Sequence, residues 1–150
     1  MTYRQVETER ALLPRCERSV GRGRRGIGPC ARDATLVVRV VAPRDSEPQL
    51  MCRAHERRER ERENVASAER LTPELLLAHR DRAVDRAEHL LARVRDELAG
   101  VLALGDPSDP DLWHDVARRM LHVSVSLLPG LATAKRDRDA VRRAVVEPLP

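Results

Sequence analysis

Three cysteines and one histidine place the strongest constraint on how this 150-residue chain can fold. Cys52 and His55 stand three positions apart in the stretch LMCRAHERR, between apolar residues and a charged, helix-prone run. Cys16 and Cys30 lie upstream and are separated by thirteen residues. Three cysteines cannot all pair as disulfides, and a reducing compartment disfavours even one pair. Three thiols and one imidazole do form a complete tetrahedral ligand set for structural zinc.

The short spacing of Cys52 and His55 supports a metal site more strongly than the long spacing of Cys16 and Cys30. Two residues between Cys52 and His55 let one turn or helix start aim both side chains at one ion. The insert between Cys16 and Cys30, ERSVGRGRRGIGP, contains four glycines and one proline, so it can loop out between two ligands. Closing that loop costs about 1–2 kcal/mol more than closing a short turn, which zinc binding of ~10–16 kcal/mol offsets. A partial or different ligand set stays open as an alternative.

The absence of any metal is a further alternative, in which the cysteines are simply small buried residues. The N-terminal half would then have to fold with few large apolar side chains.

The local sequence pattern of the N-terminal half predicts a β-hairpin, with strands ATLVVRVV (34–41) and QLM (49–51) around the turn APRDSEP (42–48). The following residues, 56–70, are rich in Glu and Arg and favour an exposed helix. A disordered charged linker is the alternative there, because almost no apolar stripe precedes Val65.

The order of ligand, ligand, β-hairpin, Cys-x-x-His and helix resembles that of small treble-clef or zinc-ribbon-like modules. It looks most like short modules of this kind in actinobacterial and actinophage proteins. The resemblance covers about residues 16–60, and the long first spacing departs from it. It implies one structural Zn²⁺ per chain, with the ligands Cys16, Cys30, Cys52 and His55. It implies nothing about residues 73–150.

The second part of the chain carries two well-marked helix starts. In LTPELLL and SDPDLW, Thr72 and Asp109 occupy the N-cap position, and a proline follows each of them at the first helical position. Gly105 ends the first helix, although Gly100 weakens its last turn. The expected helices cover residues 73–104, then 110 to the Pro129-Gly130 pair, and finally 131–146.

Apolar residues on the first two helices follow a heptad spacing of alternating threes and fours. The connection DPSDP is short, so these helices are expected to be antiparallel neighbours. The seams must pack on each other, on the third helix or on another copy of the chain. Trp113 is interpreted as a core anchor in its seam. The seams contain Val84, Ala87, Leu91, Val94, Leu98 and Val101 on the first helix, and Trp113, Val116, Met120, Val123 and Leu127 on the second.

Together these elements predict an α+β protein that is mostly α. We expect a zinc-binding β-hairpin module with an Arg/Gly loop over residues 1–64, and an antiparallel helical hairpin or three-helix bundle over residues 65–150. The boundary follows a change in composition, because all three cysteines and four of the seven glycines precede it. No apolar run reaches the ~18 residues needed to span a bilayer. The charged N-terminus lacks an apolar stretch, so we expect a cytoplasmic protein without a membrane partner.

The Arg/Gly loop is the candidate nucleic-acid-binding feature. Residues 1–72 carry 16 basic and 11 acidic groups, a net of +5, whereas residues 73–150 carry 12 and 13, a net of −1. Guanidinium groups on flexible glycine-rich backbone suit phosphate contacts. The chain has 27 Arg and one Lys, a skew typical of a GC-rich genome, so a merely solvated loop is the alternative. The candidate contacts are Arg18, Arg22, Arg24 and Arg25.

No catalytic constellation stands out in the sequence. It has no nucleophile elbow and no phosphate-binding glycine loop before a helix. Treble-clef nucleases need a catalytic histidine on the hairpin, and residues 31–51 contain none. The remaining histidines are expected at the surface or rim, since none stands one helical turn from another histidine or a cysteine. They are His79, His89, His114 and His122.

These observations predict a non-enzymatic regulatory or accessory protein. The zinc module and its Arg loop would contact nucleic acid or a nucleic-acid-processing complex. The competing hypothesis is a protein–protein interaction or scaffold protein, in which zinc only holds the fold. In both cases residues 73–146 would serve as a homodimer interface or as a docking surface for another protein.

Overall fold

A computed structural model of the chain describes residues 12–21, 27–41 and 47–146. The described residues are mostly helical and contain two small antiparallel sheets, as expected for a mostly α chain. They form two compact units. One contains the chain up to His79 and again from Ala140 onward, and the other is Arg80–Asp139. Three predicted contacts (Arg22, Arg24, Arg25) and most of the predicted turn over 42–48 lie outside the described ranges.

The first unit contains all the strands. β1 pairs with β2, and a second sheet has the order β4-β3-β5, with every pair antiparallel. The predicted hairpin is confirmed, because β3 and β4 pair with Val37 opposite Leu50. The strands are β1 Ser19–Gly21, β2 Ile27–Pro29, β3 Leu36–Val40, β4 Gln49–Met51 and β5 Val65–Arg70.

The predicted exposed helix over residues 56–70 is only partly correct. The helix α1 spans Arg53–Glu61, and β5 follows it and pairs with β3. Val65 and Ala68 of β5 pack against the buried cluster that contains the cysteines. The pairing of β5 with the second edge of β3 therefore outweighs the helix propensity of a Glu- and Arg-rich segment.

The chain leaves α1 through a compact turn at Glu63. The φ angle of Glu63 is 55°, in the left-handed region. The backbone N–H of Glu63 donates to the carbonyl of Arg60 at 2.9 Å, and that of Asn64 donates to the carbonyl of Glu59 at 3.0 Å. These two bonds form a Schellman motif, in which glycine usually takes the left-handed position. Because a glutamate replaces the usual glycine, the sequence carries no clear signal for the end of α1.

The long helices begin as predicted. α2 spans Pro73–Leu104, and Thr72 Oγ1 accepts a hydrogen bond from the backbone of Leu75 at 3.3 Å. α3 spans Pro110–His122, and the Asp109 carboxylate accepts from the backbone N–H of Asp111 at 2.9 Å. A π-helical segment, Val123–Leu127, and the helix α4, Leu128–Val146, follow without a break.

The predicted helix end at Pro129-Gly130 is therefore wrong, and residues 131–146 do not form a separate third helix. A proline inside a helix removes one backbone hydrogen bond and crowds the carbonyl four residues earlier. Directly before Pro129, the N–H of Leu128 donates to the carbonyl of Val123, five residues back. This wider π turn relieves the crowding and lets the helix continue.

The second unit is an antiparallel helical hairpin, as predicted. Arg119 of α3 donates to Glu97 at 3.1 Å, and Lys135 of α4 pairs with Glu88 at 2.8 Å. The later residue therefore contacts the earlier position on α2, which shows that the two helices are antiparallel. Gly105 closes the turn. A Cβ at this position would lie 2.6 Å from Leu112 Cδ1 and 2.8 Å from the carbonyl oxygen of Val101.

The seam on α2 is confirmed, with Val84 buried and the other members partly buried. The seam predicted for the second helix is wrong at two positions, since Trp113 is 50% exposed and Met120 is 51% exposed. Trp113 is not a core anchor; its Nε1–H donates to the carbonyl of Pro107 at 2.9 Å. The partly buried apolar side keeps Val116, Val123 and Leu127 of the predicted seam and adds Leu112 and Leu131.

The β4-β3-β5 sheet separates two cores in the first unit. Val38 and Met51 lie on the side of the cysteines, with Val40. Leu50 packs on the other side with Leu76 and with the α4 residue Val141. Successive strand residues alternate between the faces, so each strand serves both cores. Within the described residues, no helix has the length and apolar character needed to cross a membrane.

Candidate metal centre

The four predicted ligands meet at one place in the first unit. The candidate ligand atoms of Cys16, Cys30, Cys52 and His55 all lie within 4.8 Å of one another, and all four residues are buried. His55 Nδ1 lies 3.3 Å from Cys16 Sγ and 3.5 Å from Cys52 Sγ. A tetrahedral zinc site with ordinary bond lengths places sulfur and nitrogen about 3.5 Å apart. The four residues could therefore hold one metal ion.

The first pair of cysteines is brought together by a β-hairpin. Beyond β1 and β2 the ladder continues, because the N–H of Cys16 donates to Arg32 at 2.9 Å and that of Cys30 donates to Arg18 at 3.0 Å. Cys16 thus stands opposite Arg32, and Cys30 stands opposite Arg18. This register makes the two cysteines diagonal neighbours on one face of the ladder. The thirteen-residue spacing is spanned by paired strands, so it does not prevent Cys16 from reaching the site.

The second pair is positioned by the junction between β4 and α1. Cys52 is the N-cap residue of α1 and has an extended backbone, with φ −80° and ψ 156°. The backbone N–H groups of His55 and Glu56 donate to the Cys52 carbonyl at 3.0 and 3.1 Å. The first helical turn therefore carries His55 back toward the Cys52 thiol. This matches the interpretation of the two-residue spacing as one helix start that aims both side chains.

The buried thiols differ in acidity. Burial raises the pKa of Cys16. Burial also acts to raise the pKa of Cys52, but hydrogen bonds from the backbone of His55, from the Cys16 thiol and from the backbone of Ala54 outweigh it and leave the pKa of Cys52 lowered. Cys52 is therefore more readily converted than Cys16 to the thiolate that binds a metal.

The imidazole of His55 is held in its metal-binding form. Burial lowers its pKa, and the positive charges of Arg58, Arg18 and Arg32 lower it further. Only the neutral imidazole has a nitrogen lone pair to offer a metal ion. Because these charges act on His55, three guanidinium groups lie near the candidate centre.

A buried carboxylate supports the site from one turn further along α1. Glu59 is 5% exposed, accepts a hydrogen bond from Asn64 Nδ2 at 2.9 Å and pairs with the Arg18 guanidinium. The Asn64 hydrogen bond and the Arg18 charge hold the pKa of Glu59 below its usual range, against the effect of burial. Arg18, a predicted nucleic-acid contact, therefore ties the strand after Cys16 to α1.

Sequence inspection did not predict the contact between the buried His79 and the partly exposed Glu17. His79, expected at the surface or rim, is 4% exposed, and its Nε2 lies 2.8 Å from Glu17 Oε1. Glu17 also accepts from the Leu50 N–H at 2.9 Å, and its own N–H donates to the Leu50 carbonyl at 2.9 Å. The sequence pattern of α2 could not predict this contact, because Glu17 lies 62 positions before His79.

No protein-family model, curated protein or solved structure matches this chain. The resemblance of residues 16–60 to treble-clef and zinc-ribbon-like modules therefore stays a prediction. The candidate centre is characterised by its own residues, which are three thiols and one imidazole within ligand distance of a single ion.

Proposed function

We propose that this chain is a small, non-enzymatic zinc protein that contacts nucleic acid, or a nucleic-acid-processing complex, through the module around Cys16, Cys30, Cys52 and His55. The closed character of the cluster carries the proposal, since each of the four residues is less than one-tenth exposed. Thiolate and imidazole ligands suit Zn²⁺ and not the hard cations Mg²⁺ and Ca²⁺. Four protein ligands leave no open position for a substrate, so the role of the ion is structural.

Zinc would supply stability that the apolar core of this module lacks. Among the described residues, the buried cluster around the cysteines adds only Val38, Val40 and Met51 to the thiols. A core of this size contributes little free energy of folding. Metal binding to preorganised thiolates would offset the deficit and join the β1–β2 hairpin, β4 and α1 at one point.

The basic surface beside the cluster supports nucleic acid as the partner. Arg32 and Arg58 are exposed, and both lie close enough to His55 for their charges to lower its pKa. Arg53 and Arg57 are also exposed at the start of α1. Among the described residues, none of these four arginines has an ion-pair partner. Unpaired guanidinium groups on a rigid base suit contacts with the phosphate backbone, which are independent of sequence.

Metal content tests the centre. Native mass spectrometry of the purified chain should find one zinc per chain, and zinc should be lost from Cys16→Ser, Cys52→Ser and His55→Gln. His79→Gln is the matched control, because His79 is equally buried but lies outside the cluster. Zinc retention in Cys52→Ser would overturn the centre. Retention in Cys16→Ser alone would reduce the ligand set to three residues.

Salt-dependent binding tests the partner. Fluorescence anisotropy with generic duplex DNA and with RNA should give affinities that fall steeply as salt rises. Arg32→Ala combined with Arg58→Ala should lower the slope of log K against log salt by roughly 2. Arg93→Ala combined with Arg95→Ala, on α2, removes the same charge and should leave the slope unchanged. No binding at low salt would exclude the nucleic-acid proposal and leave the metal centre intact.

A scaffold protein is the second candidate function. Large apolar side chains of the second unit are exposed, among them Trp113, Leu121 and Val125. In this alternative, zinc stabilises the first unit without any nucleic-acid contact, and the helices carry the protein–protein interaction. A chain that binds zinc, fails to bind DNA or RNA, and self-associates through its helices would favour this candidate.

A further inference from the structure

One face of the helix formed by α3, the π segment and α4 carries an apolar stripe. Neighbouring members are one to seven positions apart, a spacing that keeps them on one side of a helix. The opposite side, with Leu112 and Val116, is more buried. The stripe consists of Trp113 (50% exposed), Met120 (51%), Leu121 (63%), Val125 (66%) and Leu128 (50%).

The second unit cannot bury much apolar surface by itself. Val84 is the single fully buried apolar residue in Arg80–Asp139, a range that the structure describes completely. No residue of α3 or of the π segment is buried. Most helix stability in proteins comes from packing of the apolar face, and two helices alone supply little of it. A further surface covering the stripe would supply the missing burial.

The stripe has the size of an interface. Its five side chains expose on the order of 600 Å² of mostly apolar surface, against the ~800 Å² that each partner contributes to an interface of standard size. Contiguous apolar patches on monomers seldom exceed about 300–600 Å². Flanking residues such as Ala117 and Ser124 are also exposed and would complete the required area.

We propose that a second copy of this chain covers the stripe, with the two helices packed antiparallel. The stripe is self-complementary about a two-fold axis between Met120 and Leu121. Trp113 of one copy then lies level with Leu128 of the other. Ala117 lies level with Ser124 of the other copy and about one residue, ~1.5 Å, from the level of Val125, and its small side chain leaves room for Val125. A two-fold interface requires this kind of pairing, because each copy offers the same surface.

Charge favours the antiparallel orientation over the parallel one. Asp109 and Asp111 precede the stripe, and Arg136 follows it. Asp111 and Arg136 are exposed, and Arg136 has no ion-pair partner among the described residues. Antiparallel packing brings Asp111 of one copy toward Arg136 of the other. The axial offset of about six residues, ~9 Å, is spanned by an extended arginine and the aspartate together. Parallel packing would place aspartate beside aspartate.

The oligomeric state of the full chain tests the interface. Light scattering after size-exclusion chromatography should give twice the chain mass at micromolar concentration. Leu121→Glu combined with Val125→Glu should weaken dimerisation at least 100-fold and give a monomer. Leu90→Glu is the matched control, since Leu90 is 47% exposed on α2 and lies outside the stripe. Circular dichroism establishes that each variant remains folded.

Trp113 reports on the same interface, because it is the one tryptophan in the chain. Its emission should shift to longer wavelength on dilution and in the Leu121→Glu, Val125→Glu variant, as its ring becomes hydrated. A wild-type monomer at tens of micromolar would overturn the proposal, including a monomer that binds only a different protein. Equal dissociation of Leu90→Glu would also overturn it.

Charge reversal tests the orientation. Asp111→Arg and Arg136→Asp should each weaken the dimer several-fold, and the two together should restore it. Restoration separates the interface from any loss of helix stability at Asp111, because the combined variant still lacks that aspartate. The antiparallel arrangement would be excluded if each single variant weakened the dimer and the combined variant weakened it further.

Discussion

Glu17 and His79 are joined across 62 positions of sequence, with 2.8 Å between Glu17 Oε1 and His79 Nε2. Glu17 follows a candidate metal ligand, and His79 lies in the N-terminal part of α2. The carboxylate also accepts a hydrogen bond from the backbone of Leu50, in the central sheet. One side chain therefore connects the strand of the candidate centre, the sheet and the helix within the first unit.

Removing the imidazole from this pair should destabilise the first unit. His79→Leu removes the hydrogen bond between His79 and the partly exposed Glu17 carboxylate, and the loss of one such bond costs about 0.5–1.5 kcal/mol. Urea unfolding of the full chain measures the change. His89→Leu on the same helix is the control, since His89 is exposed and should change stability by less than about 0.5 kcal/mol. Equal effects of the two variants would contradict a specific role for the pair.

The left-handed residue at the end of α1 offers a stabilising substitution. Glu63 has φ 55°, so Glu63→Gly relieves conformational strain and should raise the free energy of unfolding by about 0.5–1 kcal/mol. Glu61→Gly is the control. Glu61 lies in the last turn of α1, where glycine is unfavourable, and the substitution should lower the free energy of unfolding by several tenths of a kcal/mol. A destabilised Glu63→Gly would show that the glutamate side chain is required.

Two glycines at the end of α2 should respond in opposite directions to alanine. A Cβ at Gly105 meets Leu112 and the backbone of Val101 at under 3 Å, so Gly105→Ala should destabilise the hairpin by about 1–3 kcal/mol. A Cβ at Gly100 has no atom within 4 Å. Gly100→Ala should therefore stabilise α2 by about 0.5–1 kcal/mol. Thermal unfolding that moves the same way in both variants would refute this packing.

The hydrogen bonds around Asp115 predict its titration. Arg118 and Arg119 donate to its carboxylate at 2.6 and 2.8 Å and hold the pKa of Asp115 below its usual range. Since the folded pKa is lowered, the associated stability is present above the ordinary pKa of about 4. It is lost as pH falls through the lowered value.

An NMR titration of the Asp115 carboxyl carbon checks this expectation. Arg119→Gln should raise the pKa of Asp115, because it removes one hydrogen bond and one charge. Arg93→Gln, whose side chain pairs with Glu97 and not with Asp115, should leave it unchanged. An unchanged pKa in Arg119→Gln would mean that this ion pair does not persist in solution.

Features encoded by short spacings could be predicted from the sequence. Thr72 and the proline after it mark the start of α2, and Gly105 marks its end. The Cys52 and His55 pair lies within a single helical turn, so its geometry depends on a few neighbouring backbone angles. The hairpin of β3 and β4 follows from β-branched residues beside turn residues in the same way.

Features that depend on distant partners could not be predicted. β1 and β2 are three-residue strands with glycines and a proline, which have little strand propensity, and they are defined only by pairing with each other. The exposure of Trp113 depends on which side of a continuous helix packs against α2. The π turn before Pro129 likewise requires the surrounding helix to hold it.

The sequence by itself determined which residues have metal-binding chemistry and where the long helices begin, because side-chain type and local backbone preference act over a few residues. Only the tertiary structure decided that Cys16 and Cys30 share one face of a hairpin and that His79 is buried against Glu17. It also decided which apolar side chains of the second helix stay exposed. Those outcomes depend on strand register and helix rotation, where a shift of one residue moves a side chain to another face.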